Sequence, residues 1–250
     1  MTEAHHAPPL RNRTILVVGA TGGIGEGMTR ALLQQGATVV ATGRNEDRLA
    51  SLAARVGDDI AGTFLPHTLD VASPDSAAVR RELVRYGPLD GAVITIGNWG
   101  TNGPAGLLQT LDDEWDSMIA ANLTSHFRAL RTLVPLLPPE GALVHLTGYS
   151  AEVPYPSAPL IGATNAAKKS LMLSLTAELG TAGPRLYELI IGPIRTRPRA
   201  AIGADDPGWF SAEDLGHHAG ALITGHSPYT AHPLQYLLTR AHGVRATPPR

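Results

Sequence analysis

The chain's most chemically suggestive residues form one run, Gly19-Ala20-Thr21-Gly22-Gly23-Ile24-Gly25. The run lies between a β-branched stretch, Thr14–Val18, and an amphipathic one that starts near Glu26. Glycine lets a backbone turn sharply and approach a ligand with no Cβ in the way. A helix that begins behind such a loop offers unpaired N–H groups and a partial positive charge, which together suit a pyrophosphate. The spacing, Gly19-x3-Gly23-x-Gly25, departs from the G-x-G-x-x-G of many dinucleotide folds. A glycine turn with no ligand is the competing reading; the order strand, loop, helix argues against it.

A second signal closes the next apolar run, where Gly43 is followed by Arg44. An acidic residue there would accept hydrogen bonds from a ribose diol and repel a 2′-phosphate. A guanidinium instead meets a phosphate bidentately. NADP(H) is therefore favoured over NAD(H). A solvated Arg44, or one stacked on adenine in either cofactor, is the alternative.

These groups need elements to hold them. Apolar runs predict strands at Thr14–Val18, Thr38–Thr42, Gly62–Leu69, Ala92–Ile96, Ala142–Leu146, Leu186–Ile191 and Leu234–Leu238. Amphipathic stretches predict helices at Glu26–Gln35, Glu46–Val56, Ser76–Tyr86, Leu111–Val134, Leu160–Leu179 and Glu213–Ile223, with Ser73 as a cap for the third. Such alternation forces right-handed crossovers and a parallel sheet covered on both faces. The expected fold is α/β, a single doubly wound, Rossmann-type domain of about seven strands. It should span residues 13–240, between loose tails at 1–12 and 241–250.

Twenty basic and twenty-two acidic residues leave a formal charge of −2. That lacks the basic field of a nucleic-acid binder. No cysteine is present, which removes disulfides, thiolate metal sites and a cysteine nucleophile. The histidines give no metal signature: His5-His6 fall in the first tail, and His217-His218 face apart on a helix. No apolar run nears the ~20 residues of a membrane helix. Met1 to Pro9 lack the basic-then-apolar order of a signal peptide, so a cytoplasmic protein is expected. Lysine occurs only at Lys168 and Lys169, which read as helix-surface charges.

From Arg13 to Leu238 the chain resembles the short-chain dehydrogenase/reductase family. The family's T-G-x-x-x-G-x-G loop recurs with Val18 in place of the threonine. Thr42-Gly43-Arg44, Leu69-Asp70-Val71, Trp115-Asp116…Asn122-Leu123 and Gly192-Pro193-Ile194-Arg195-Thr196 match further segments. The resemblance implies a dinucleotide on Gly19, Thr21, Gly22, Gly23, Ile24 and Arg44. Asp70 and Val71 would flank the adenine, Gly97 and Asn165 a ribose, and Ile194 and Thr196 the nicotinamide carboxamide. It further implies a small-molecule substrate, a lid over residues 196–209, and a homodimer or homotetramer paired through the two long helices.

The chemistry the family relies on is missing. Its members reduce carbonyls with Asn, Ser, Tyr and Lys, the lysine lowering the tyrosine's pKa. A phenol titrates near 10, so work near neutrality needs roughly 4 kcal/mol of help. Aligned on Ile161-Gly162-Ala163-Thr164-Asn165-Ala166-Ala167, the tyrosine place holds Ile161, the lysine place Asn165 and the serine place Gly148. Only Asn122 remains. No tyrosine anywhere in the chain has a lysine four residues later. Ile94-Thr95-Ile96-Gly97 replaces N-N-A-G, which implies repacking of the fourth strand, and Ile191 replaces a proline.

Polar groups left for the pocket are Asn122, Thr147, Tyr149, Ser150, Tyr155 and Asn165. Tyr149 and Tyr155 fit pocket wall or loop packing as well as hydrogen-bond donation, and Asn122 fits a structural role. Trp99 fits the pocket rim or core packing as well as substrate stacking. Hydride transfer needs only an oriented nicotinamide and an electrophilic carbon; the acid is needed where an alkoxide forms. The leading expectation is an atypical NADP(H)-binding oxidoreductase acting on a small, hydrophobic carbonyl or iminium-like metabolite. A non-redox cyclase, isomerase or dehydratase comes second, and a non-catalytic dinucleotide-binding partner subunit third.

Overall fold

Short runs of Val, Ile and Leu, buried on both sides, are what a parallel sheet requires. In the computed structural model, which describes residues 9–57, 60–98, 106–156 and 158–249, seven strands pair in parallel, and all but the edge strand at Thr63–Thr68 are largely buried. The elements are β1 (Thr14–Val18), α1 (Gly23–Gln34), β2 (Thr38–Gly43), α2 (Glu46–Val56), β3 (Thr63–Thr68), α3 (Ser76–Val84) and β4 (Gly91–Ile94). After them come α4 (Asp112–Ile119), α5 (Ser125–Leu133), β5 (Ala142–Gly148), α6 (Pro159–Leu179), β6 (Arg185–Ile191), α7 (Arg197–Ala201), α8 (Ala212–Ile223) and β7 (Leu234–Leu237). The strand order is β3-β2-β1-β4-β5-β6-β7. It reverses direction between β1 and β4, and ligands of open α/β sheets bind in the crevice beyond the strand ends at such a reversal.

One apolar layer packs Ile15, Val17, Val39, Val93, Val144 and Leu189 against α1 and α8. The other packs Leu16, Val40, Ile94, Leu143 and Leu186 against α3, α5 and α6. Alternation along β5 therefore turns His145 and Thr147 towards the second layer, with Leu143 between them and the far end.

Five expectations need correction. The helix predicted from Glu26 starts at Gly23, because the glycine loop itself supplies its first turn. Asp75, not Ser73, caps α3: its carboxylate accepts from the Ala78 amide at 2.9 Å. The helix predicted for Leu111–Val134 is interrupted by one π-turn, Ala120–Thr124, between α4 and α5. The stretch after β6 contains a short helix, α7, whose N-cap is the Thr196 hydroxyl. The ends predicted to be loose carry docked residues: Leu10 is fully buried, and Arg245 exchanges backbone hydrogen bonds with Tyr236. Trp99 lies outside the described residues.

Candidate functional site

The glycine loop is shaped by contacts that exclude side chains. Gly19 has φ +82°, a left-handed conformation, and a Cβ on it would also lie 3.0 Å from Thr95 Oγ1. At Gly25 a Cβ would fall 2.2 Å from the Gly19 carbonyl oxygen. Gly22 differs: its missing Cβ would touch only that same carbonyl, at 3.3 Å. No side chain caps α1, and the backbone amides of Gly23 and Ile24 make no hydrogen bond among the described residues. The loop thus presents a cleared surface with free N–H groups, a fit for a pyrophosphate.

A partner missed in the sequence secures this loop. Thr95 Oγ1 donates to the carbonyls of Val18 (2.8 Å) and Gly19 (3.1 Å), tying the end of β4 to the loop while Ile94 is buried in the second apolar layer. The β2–α2 turn closes in from the other side. A Cβ on Gly43 would meet the Thr21 side chain at 3.4 Å, and the Arg48 guanidinium donates to the Thr21 carbonyl at 3.0 Å. Arg44 is exposed beside it. Val71 is buried, whereas the exposed Asp70 accepts from the Ala72 amide at 3.0 Å. Ile194 is buried, and Thr196 stands over Gly23, its Oγ1 3.2 Å from the place of a Cβ.

Glu26, one turn into α1, is a second surprise. It is 4% exposed and receives paired hydrogen bonds from Arg55 on α2 and Arg197 on α7. Burial pushes its carboxyl up, but the hydrogen bonds from Arg197 and Arg55 outweigh this and hold it below its ordinary value.

At the ends of β4 and β5 the polar residues converge, but on each other. The Asn122 carboxamide, in the π-turn, donates to the Asn98 carbonyl and accepts from the Asn98 amide, each at 2.7 Å. Gly97 lies just beyond; among the described residues its Cβ would have only Asn122 Oδ1, at 3.9 Å, within contact. Asn165, buried on α6, accepts from Thr147 Oγ1 at 3.0 Å and donates to Ser150 Oγ at 2.8 Å. A Cβ on Gly148 would sit 2.8 Å from Asn165 Nδ2, so that amide fills the space a larger residue at 148 would take. Ile161 is buried nearby. Tyr149 begins a short 3-10 turn, Tyr149–Ala151, and Tyr155 is 40% exposed.

Of the two lysines, only one departs from the helix surface expected of both. Lys169 pairs with Glu152 at 2.5 Å, and Glu152 also accepts from the Tyr236 hydroxyl at 3.1 Å. Lys168 is no surface charge: it is 5% exposed. Its place beside Thr164 and Asn165 on the buried stripe of α6 carries it into the second apolar layer. Burial lowers its ammonium to about 8, with Glu188 opposing the shift. Helical spacing could have revealed this, since Ile161, Thr164, Asn165, Lys168 and Met172 share one face.

Among the described residues no group of metal-ligating side chains could hold an ion, and no helix is long and apolar enough to cross a membrane. His217 is exposed while His218 bonds to Gln235 at 2.5 Å.

Comparison with known proteins supplies context for this geometry. The family model described as short chain dehydrogenase matches residues 13–207. A 3beta-hydroxysteroid dehydrogenase of Mediterraneibacter gnavus is 34% identical over 175 residues, covering 68% of this chain and 62% of that protein. A serine 3-dehydrogenase of Agrobacterium fabrum is 30% identical over 185 residues, covering 73% of this chain and 72% of the relative. Among solved structures, a 3-oxoacyl-[acyl-carrier protein] reductase of Brucella melitensis with bound NAD superposes with a TM-score of 0.78 at 22% identity, covering 95% of this chain and 94% of that one.

Proposed function

Because the chain belongs to the short-chain dehydrogenase/reductase family, we propose that it is an NADP(H)-binding oxidoreductase of a small, hydrophobic carbonyl or iminium-like compound, working without a tyrosine–lysine pair. The observation that carries this reading is the cleared glycine loop with its unbonded Gly23 and Ile24 amides. When bound, the nicotinamide supplies or accepts a hydride. The chain's own part is to hold and orient. Gly19, Thr21, Gly22, Gly23 and Ile24 take the pyrophosphate, and Arg44 the 2′-phosphate. Asp70 and Val71 border the adenine, Gly97 a ribose, and Ile194 and Thr196 the carboxamide.

Asn165 offers the ribose only the one N–H that its bonds to Thr147 and Ser150 leave over. It brings no charge, so a substrate that forms no alkoxide suits this pocket best. Tyr149 and Tyr155 serve as wall or as neutral hydrogen-bond donors, and Asn122 holds the Asn98 backbone. Exposed Trp115, Phe127 and Leu173 on α4, α5 and α6 support pairing of two copies through these helices.

Titration of nucleotide fluorescence tests the proposal. NADPH is expected to bind more tightly than NADH, and Arg44→Ala to lower that preference about tenfold, the worth of one charge-assisted contact. No fluorescence change with millimolar NADPH overturns it. One observation favours the non-redox alternative, a cyclase, isomerase or dehydratase: Asn165 is turned to Thr147 and Ser150 rather than left free. Product formation that survives complete removal of nucleotide would select that reading.

A further inference from the structure

Four titratable side chains from four elements meet in the second apolar layer, away from the groups assigned above. They are Glu188 on β6 (1% exposed), His145 on β5 (0%), His126 on α5 (0%) and Lys168 on α6 (5%). Strand register sets Glu188 directly beside His145. A Glu188 oxygen, Oε2, is 2.5 Å from His145 Nδ1, and His145 Nε2 is 2.5 Å from His126 Nδ1. Two atoms at the ends of this chain, Glu188 Oε1 and His126 Nε2, are buried without a hydrogen-bond partner among the described residues. Such orphans are rare in native interiors and ask for a reason.

Proton counting supplies one. With Nδ1–H of His145 donating to Glu188 and Nδ1–H of His126 donating to His145, His126 Nε2 is left a bare lone pair. A proton arriving at that nitrogen lets His126 pass its Nδ1 proton to His145 Nε2. His145 then passes its own to Glu188, and the added charge comes to rest beside Lys168. No electrons move and no bond other than N–H and O–H changes. The receiving end lies beside the Ile96 carbonyl, two residues past β4 and next to Gly97, an acceptor that favours the protonated His126 ring. The chain lies roughly 6–7 Å, two strand residues, below Thr147 and Asn165.

We infer that Lys168, Glu188, His145 and His126 act as one buried proton-exchange unit and that, resting on the redox reading above, it is the pocket's proton store in place of the tyrosine–lysine pair. The electrostatics agree. Burial, then the charges of His145 and Lys168, hold His126 well below its ordinary value, so the ring rests neutral and hands on, rather than keeps, a proton that reaches it. Glu188 is the charge that faces Lys168. The neighbouring trio Lys169, Glu152 and Tyr236, from α6, the turn after β5, and β7, bonds within itself. His126, His145 and Lys168 act through other groups and are positioning residues.

Histidine ring resonances of the full chain, followed by NMR across pH 5 to 10, test the unit. The His126 and His145 ring shifts are expected to move together as Lys168 loses its proton near 8, a step that disappears in Lys168→Met. The double variant Lys168→Met/Glu188→Gln, which removes both members of the Lys168–Glu188 pair, guards against simple misfolding. Two rings that titrate independently, or an inflection unchanged in both variants, overturn the unit. The store is tested by calorimetric NADPH titration in two buffers of different ionisation heat at pH 8. Fractional proton uptake or release in the native chain, abolished in the double variant, supports it. Binding without a proton change refutes the store alone; no binding at all refutes the store and the redox reading together, while the ring titration still judges the unit.

Discussion

The two halves of the crevice are built on opposite terms. Around β1, α1 and β2 the chain has removed side chains, so that backbone amides face outward and Arg44 stands exposed. Around β5 and α6 it has filled the space: Asn165 occupies the room beside Gly148, and beneath it lie two histidines, a glutamate and a lysine. A surface that binds through its backbone tolerates little change where close contacts set its glycines, as at Gly19 and Gly25. A surface that reacts through side chains can be rewritten position by position, provided every buried polar atom finds a partner.

The sharpest way to break this comparison is at the glycines. Gly25→Ala puts a methyl 2.2 Å from a backbone oxygen, and is expected to cost more than ~5 kcal/mol or to prevent folding. Gly22→Ala, whose Cβ meets only the Gly19 carbonyl oxygen, at 3.3 Å among the described residues, should stay within ~1 kcal/mol of native stability yet weaken NADPH binding. Denaturant unfolding beside nucleotide titration separates the two; equal losses of stability would show that the loop is not divided in this way.

Next in size is the buried charge pair. Glu188→Gln alone leaves Lys168 uncompensated in the interior and should cost about 3–5 kcal/mol. Adding Lys168→Met should recover most of that loss. A double variant no more stable than the single one would mean that the two groups do not offset each other.

A smaller effect concerns pH. His126 has its folded-state pKa depressed, so below ~6.5 the unfolded chain binds a proton that the folded one refuses. Stability should therefore fall as pH drops below that value. Lys168 works in the same direction at higher pH: folded near 8 against 10.5 unfolded, it makes stability rise with pH between those two values. Urea midpoints at pH 5, 7 and 9.5, compared with those of His126→Phe, should show the acid limb flattened in the variant. The smallest effect sits in the glycine half. Asn45 caps α2 by accepting from Arg48 at 2.8 Å, and Asn45→Ala should cost about 1 kcal/mol at every pH, since no titrating group is involved.

The sheet was legible in the sequence because parallel strands are apolar on both faces, and runs such as Thr14–Val18 and Ala142–Leu146 have no other good use. The glycine loop was legible for a related reason, since few structures need three glycines at that spacing. Lys168 was not, because a lysine's type argues for solvent and only its helical phase, shared with Ile161 and Met172, argues otherwise. Glu26 and Thr95 were missed because their partners are remote in sequence: Arg197 is 171 residues from Glu26, and Val18 is 77 from Thr95. Single-sequence periodicity reports which face is apolar. It does not report which polar groups on that face will find each other.

The hole opposite Gly148 carries a lesson about reversibility. A serine placed there alone would press its Cβ to within 2.8 Å of an amide anchored at both ends, by Thr147 and by Ser150. A lysine placed at 165 alone would abandon both anchors. Each of these residues is thus barred by the absence of the other, and installing the pair has to change at least two positions in a single step.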